Sequence, residues 1–378
     1  MAQKVSRRNY VKYAAAGVVV VAGAAAGAYY ASRPGPAPIV PTTTATTTGA
    51  PSKSIVFATW GGAWQQGVID ALKGFEQANN CKIEYFIQSD SAETVVKEIA
   101  EKDHPTIDII MTGPANTMTG IAGGVAEPID PDLVPNLKDI VPAANLVVDG
   151  KVYNPGLCFN FMGIAVRSDR IDISKVTSWK WMWSKDLFPK KLGVPTPAYY
   201  GQPIQTSYAW FGDQYHVDEA FNKLKELAPN IGLTYVDDAV ASEALAGGEI
   251  DALQCYNIVA YKMFKEKAPV KFILPANEPF WLYPNGPMVV KNAPAGKDLQ
   301  MKLINWMLTP EAVTKYCAAL AVNPSNVKSE MPSDPTLAPF LLTEETMAAV
   351  PIIDFPFLSQ NTDKWQERWD KEIKPLLG

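Results

Sequence analysis

Among 378 residues there are only two histidines, His104 and His216, and four cysteines, Cys81, Cys158, Cys255 and Cys317. Nucleophilic or metal-assisted chemistry needs such groups at set spacings, and the chain does not offer them. Neither histidine has a His or Cys partner at metal-ligand spacing, and each reads as a surface or helix-end residue. There is no CxxC pair, G-x-S-x-G elbow, H-E-x-x-H, P-loop or G-x-G-x-x-G after a strand. No catalytic residue, metal site or cofactor is therefore expected. Paired carboxylates for glycoside chemistry stay open, because their pairing is spatial and not sequential. What the chain has in excess is aromatic side chains near expected turns: Trp60 and Trp64, Tyr199-Tyr200, Tyr208 and Trp210, Tyr256, then Trp281 and Tyr283. Rings at strand ends can box an ammonium group, each face contributing about 0.5–2 kcal/mol. The same rings also stack on sugars and fill cores. Trp60, beside Gly61-Gly62, and Trp281, close to Asn285-Gly286, stand out because glycine turns lie next to them.

Elements that would position these rings alternate along the chain. Ile55–Ala58 reads as a strand that stops at Thr59-Trp60-Gly61-Gly62, and a helix follows with Val68, Leu72 and Phe75 on one face. Lys82–Ile87 reads as a strand, Ala92–Glu101 as a helix, Ile107–Met111 as a buried strand ending at Thr112-Gly113-Pro114, and Asn116–Ala122 as a short helix. Such alternation predicts a parallel sheet covered by helices, with ligands outside the carboxyl ends of the strands, so that Gly61-Gly62 and Gly113 face one crevice. After the apolar stretch Phe161–Val166 a second set begins: strands at Leu192–Val194, Leu233–Val236 and Asp251–Tyr256, and helices over Val217–Leu227 and Ala239–Ala246. Strands at Phe272–Leu274 and Pro287–Val290 precede helices over Lys297–Leu308, Pro310–Leu320 and Asn361–Lys374. On the last helix Trp365, Trp369 and Ile373 recur every four residues, which is a packing stripe.

The N-terminus addresses the chain outward. Ser6-Arg7-Arg8-Asn9-Tyr10-Val11-Lys12 precedes an uncharged Ala/Val/Gly run, Tyr13–Ser32. A basic region and an apolar region with an adjacent Arg7-Arg8 pair resemble a twin-arginine export signal, which makes the twin-arginine translocase a partner. The run is nearly long enough to span a bilayer, and Ala26-Gly27-Ala28 is a small-residue cleavage site, so anchor and cleaved leader are both open. Residues 33–54, with Pro-Gly-Pro-Ala-Pro and a Thr-rich tract, read as an extended stalk. Signal or anchor over 1–32, then a stalk, points to an exported, membrane-tethered protein at the cell surface or in the periplasm. Removing the first 52 residues takes away Lys4, Arg7, Arg8, Lys12 and Arg33 and no acid, which moves the formal net charge from −5 to −10. Such a surface disfavours nucleic acid. The four cysteines fit either two disulfides or buried free thiols.

With these segments in view, the chain resembles the solute-binding proteins of ABC importers, in the branch holding spermidine and putrescine receptors. The likeness runs through Thr59-Trp60-Gly61-Gly62-Ala63-Trp64, Pro105-Thr106-Ile107-Asp108-Ile109-Ile110, Glu127-Pro128-Ile129-Asp130 and Asp218-Glu219-Ala220-Phe221. It continues through Leu245-Ala246-Gly247-Gly248-Glu249, Leu308-Thr309-Pro310-Glu311-Ala312 and Asn361–Trp369. The resemblance implies an α/β fold of the two-lobed periplasmic-binding-protein kind (type II), each lobe a sheet flanked by helices with a cleft between. It implies lobes over 53–160 plus 282–327 and over 161–281 plus 328–378, no enzymatic activity, and an ABC permease with its ATPase as partners. Ligand contacts are then expected from Trp60, Gly62, Trp64, Thr112, Gly113, Phe159, Tyr199, Tyr256, Trp281 and Asn285. The branch holds ammonium groups with acids as well; here Pro197 and Ala198, and Asn285, occupy those places. A smaller or zwitterionic amine, or a neutral polar solute, suits such a cleft better, because a desolvated ammonium without a counter-charge is costly. Asp237, before a helix, reads as a cap. A secreted enzyme on a similar two-lobed fold and an importer-independent surface sensor are the competing classes.

Overall fold

A computed structural model describes residues 53–197, 201–275, 278–351 and 353–377. Arg7, Arg8, the Tyr13–Ser32 run, the stalk up to Ser52, and Tyr199 lie outside these residues. The first elements are β1 (Lys53–Thr59), α1 (Ala63–Ala71), α2 (Phe75–Asn79), β2 (Cys81–Ile87), α3 (Ser91–Ala100), β3 (Ile109–Thr112), α4 (Pro114–Ala122) and β4 (Ala126–Glu127). The single helix expected through Val68, Leu72 and Phe75 is two helices. Gly74, at φ 90°, turns the chain between them in a conformation that side chains with a Cβ rarely adopt, while all three apolar residues stay in the core.

Next come the hairpin strands β5 (Asn145–Val148) and β6 (Lys151–Pro155) and the long strand β7 (Cys158–Arg167). The hairpin turns at Asp149-Gly150, both at positive φ, a turn whose twist suits antiparallel strands. A second set follows: β8 (Leu192–Pro195), α5 (Gln202–Phe211), α6 (Val217–Leu227), β9 (Ile231–Tyr235), α7 (Asp238–Gly247), β10 (Ala252–Tyr256), α8 (Asn257–Lys265) and β11 (Val270–Ile273). The chain then returns through β12 (Leu282–Val290), α9 (Lys297–Met307), α10 (Pro310–Leu320), β13 (Asn323–Pro324), α11 (Glu344–Ala349) and α12 (Phe355–Arg368). α12 starts six residues before the expected helix, where the Asp354 carboxylate accepts from the Phe357 N–H, and it ends in a π-helical turn over Trp369–Ile373. Trp365, Trp369 and Ile373 are all buried, as a packing stripe requires.

The strands join in the order β2-β1-β3-β12-β7-β10-β8-β9. β1 is parallel to β2 and β3, and β8 is parallel to β9 and β10. The expectation of a parallel sheet needs correcting at the centre, where β7 and β12 run antiparallel to each other and to their other neighbours. Apolar runs reveal a strand but not its direction. Each long strand belongs to both ends of the sheet: β12 pairs with β7 through Leu282–Asn285 and with β3 through Gly286–Val289. Gly286 sits where backbones nearly touch, since a Cβ there would meet the Pro155 carbonyl oxygen at 2.1 Å. All ten residues of β7 are buried. The four cysteines are buried and free, which matches the free-thiol alternative.

Candidate functional site

Two groups of rings flank the crossing strands. At the carboxyl end of β1, Trp60 lies 5.1 Å from Trp64, which in turn lies 6.2 Å from Tyr316 of α10. Gly62, at φ 65°, makes the sharp entry into α1 that brings the two indoles together. Both indoles are half-buried against the core.

The second group centres on Tyr283 in β12, whose ring centroid is 6.0 Å from Tyr256, 6.1 Å from Trp281 and 6.0 Å from Phe355. Its ring lies directly over Gly113, where an added Cβ would come within 2.3 Å of it. Gly113 is therefore needed as the residue that lets β3 pass into α4 beneath a ring. The Ala115 backbone N–H, in the first turn of α4, donates to the Tyr283 hydroxyl oxygen, and burial pushes that phenol up to about 12. Thr112, fully buried, donates through its hydroxyl to Ser91 at 3.0 Å.

Strand register shows which side chains share this face. Tyr283 pairs with Asn160, and Asn285 with Cys158; Tyr256 pairs with Met162, and Gln254 with Ile164. Ala252 and Leu253 pair with Leu192 and Gly193, so continuing the parallel register sets Gln254 beside Val194 and Tyr256 beside Thr196. Side chains alternate along a strand. One face thus carries Trp281, Tyr283, Asn285, Asn160, Tyr256, Gln254 and Thr196, together with the apolar Cys158, Met162, Ile164 and Val194. Phe159 is on the other face, in the core with Phe161, and is not brought to the cluster. α5 enters the same neighbourhood through Gly201, whose side-chain space is bounded by the Trp281 ring at 3.0 Å. Tyr208 and Trp210, expected in turns, are on α5 itself.

Several of its polar side chains are buried. The Gln202, Gln205 and Gln254 side-chain amides, buried to within 1% of complete, have neither nitrogen nor oxygen partnered among the described residues. The same holds for the Thr196 and Thr206 hydroxyls, the Asn160 side-chain carbonyl and the Trp281 indole N–H. Gln202, Gln205 and Thr206 recur at i, i+3 and i+4, a polar stripe on a buried helix. Each buried polar group left unpaired costs about 1–3 kcal/mol, so such a concentration marks a place completed by something other than the protein. Sequence reasoning named Tyr283 among the turn rings but not as a ligand contact, and it passed over the glutamines. The spacing of Gln202, Gln205 and Thr206, and one amide inside an otherwise apolar strand, were the available signals.

Residues 70–339 match the family of bacterial extracellular solute-binding proteins, a stretch well over half of the chain. The chain belongs to that family. Among curated proteins, no sequence matches this solute-binding protein. Solved structures similar to it include an ABC transporter from Clostridium perfringens ATCC 13124 (TM-score 0.71, 23% identity, covering 84% of this chain and 99% of that one). They also include a periplasmic binding protein from A. tumefaciens B6 in complex with glucopine (0.67, 23%, 84% and 99%). A third is a periplasmic binding protein from Actinobacillus pleuropneumoniae with fructose-6-phosphate bound (0.66, 19%, 85% and 99%). At these identities the likeness is one of fold: two α/β lobes with a cleft between. The family and the second and third of these structures are binding proteins. In this solute-binding protein Asn160 and Tyr283 sit on the paired part of β7 and β12, Gln254 on the adjoining β10, and Gln202 and Gln205 on α5.

Proposed function

We propose that this protein is the receptor of an ABC importer, catching a small polar solute between its lobes and delivering it to a permease energised by an ATPase. The observation that carries the reading is the set of buried, unpartnered amides beside the Tyr283 rings. Lobes over 53–160 plus 282–327 and over 161–281 plus 328–378 would rotate about β7 and β12. The packing of α12 against α4 suggests that the C-terminal helix leans across from one lobe to the other. Trp60, Gly62, Trp64, Thr112, Gly113, Tyr199, Tyr256, Trp281 and Asn285 are proposed ligand contacts. The three rings around Tyr283 could face an amine or a zwitterion, as a polyamine-like receptor would require, and the amides could hold a neutral polar solute. Small-angle scattering on the full chain tests the hinge. Its radius of gyration should fall on adding a solute that raises the melting temperature, and an unchanged radius would count against closure.

Export by the twin-arginine translocase through Arg7 and Arg8, and retention by Tyr13–Ser32, belong to the same proposal. No helix among the described residues is long and apolar enough to cross a membrane. Fractionation of cells should find the protein with the membrane, and replacing Arg7 and Arg8 by Lys should leave it inside.

A further inference from the structure

The cleft's polar atoms also bear on what kind of solute fits, an inference that rests on the receptor reading. Asn160 is 3% exposed, Trp281 1%, and Gln202 and Gln254 not at all. Their unpartnered atoms are both donors, the amide nitrogens and the indole N–H, and acceptors, the amide oxygens. None of these side chains is ionisable. An ammonium group could satisfy the oxygens only, would leave the N–H donors unpaired, and would find no counter-charge among the four. A carboxylate would satisfy the nitrogens and leave the oxygens unpaired. A hydroxyl donates and accepts at once, so neighbouring hydroxyls can meet both ends of a carboxamide.

A second feature, at the start of α4, points the same way. The first turn of α4 is where an acidic group would gain from free backbone N–H donors. Here the Ala115 N–H already donates to Tyr283, and the phenol ring fills the space over Gly113. At the Ala115 N–H the place of an anion is thus taken by a neutral group of the protein, and the Asp90 charge acting on that phenol further disfavours an anion there. The rings of Tyr256, Trp281 and Tyr283 then offer apolar faces against which the C–H edges of a saturated ring can be buried.

We propose that the solute is an uncharged polyhydroxylated molecule, a sugar or polyol, whose hydroxyls are held by Asn160, Gln202, Gln254 and the Trp281 N–H. Calorimetric titration of the full chain tests this with unphosphorylated hexoses, hexitols and myo-inositol on one side. Putrescine, spermidine, γ-aminobutyrate, citrate and fructose-6-phosphate stand on the other. A neutral compound should bind saturably and the charged ones should not. Gln254→Glu, which adds a charge the hydroxyls do not need, should weaken that compound by about tenfold or more, and Gln202→Leu by a similar factor. Melting curves of the ligand-free variants separate lost binding from lost folding, and Gln202→Asn provides a conservative second variant. Saturable binding of an amine or an anion, or tighter amine binding by Gln254→Glu, would overturn the sugar or polyol assignment and leave the receptor reading standing. Unaltered affinity in the Gln202 and Gln254 variants would assign these amides to internal water and overturn it too. Silence from every probe, with no compaction in scattering, would remove the receptor reading itself.

Discussion

The two ring groups beside the crossing strands use the same residue types under different conditions. Around Trp60 and Trp64 the indoles are half-buried, so water can complete their polar edges. Around Trp281 the indole is sealed, its N–H has no partner among the described residues, and unpartnered amides stand nearby. A ring that remains wet can belong to a cleft rim or simply to a surface. A buried ring among buried, unpartnered amides is costly, which is why the second group carries more information about function than the first.

The largest test of that contrast is truncation. Trp281→Ala should destabilise the protein by about 3–5 kcal/mol in urea unfolding, as removal of a fully buried large ring does, and Trp60→Ala by clearly less. Equal losses would break the comparison. A sharper test reverses the usual sign. Gln254→Met removes two unpartnered polar atoms at similar volume and should stabilise the solute-free protein by about 1–2 kcal/mol, while solute binding falls. A destabilised Gln254→Met would mean that the amide is already paired.

Alkaline pH gives a smaller effect. Burial raises the Tyr283 phenol from 10.0 to about 12, so the folded protein holds that proton more tightly than the unfolded chain does. Its contribution to stability is complete below pH 10 and is lost as pH rises from 10 towards 12. Melting temperature measured across that range should fall, and Tyr283→Phe should shallow the fall. The smallest expected effects are alike in both halves. The Asp90 side chain caps α3 and that of Asp237 caps α7, so Asp90→Ala and Asp237→Ala should each cost about 1 kcal/mol by thermal unfolding.

Much of the architecture was legible where chemistry is local. α6 and α10 have the bounds that their periodicity and Thr309-Pro310 predict, and Asp237 caps as expected. Where tertiary context decides, the reading fell short. α5 escaped notice because its residues 202–209 are all buried, so it lacks the usual polar outer face, and its most polar stripe points inward. α8 follows β10 with no loop, so no turn residue announces it. The direction of β7 and β12 cannot be seen in apolar runs. At the site, Trp60 and Trp281 are visible as large rings beside glycines. Gln254 is one amide in an apolar strand, and only burial without partners separates it from an ordinary exposed glutamine.

The four reduced cysteines can serve as clocks placed along this comparison. Cys81 opens β2 at one edge, Cys158 and Cys317 sit by the crossing, and Cys255 lies on β10 in the other half. With Cys158 pushed up to about 12 and Cys255 and Cys317 also raised by burial, each reacts with an alkylating reagent only when its surroundings open. Labelling rates read by mass spectrometry would therefore time the breathing of each half separately, with no engineered probe, and a bound solute should slow Cys158 and Cys255 more than Cys81.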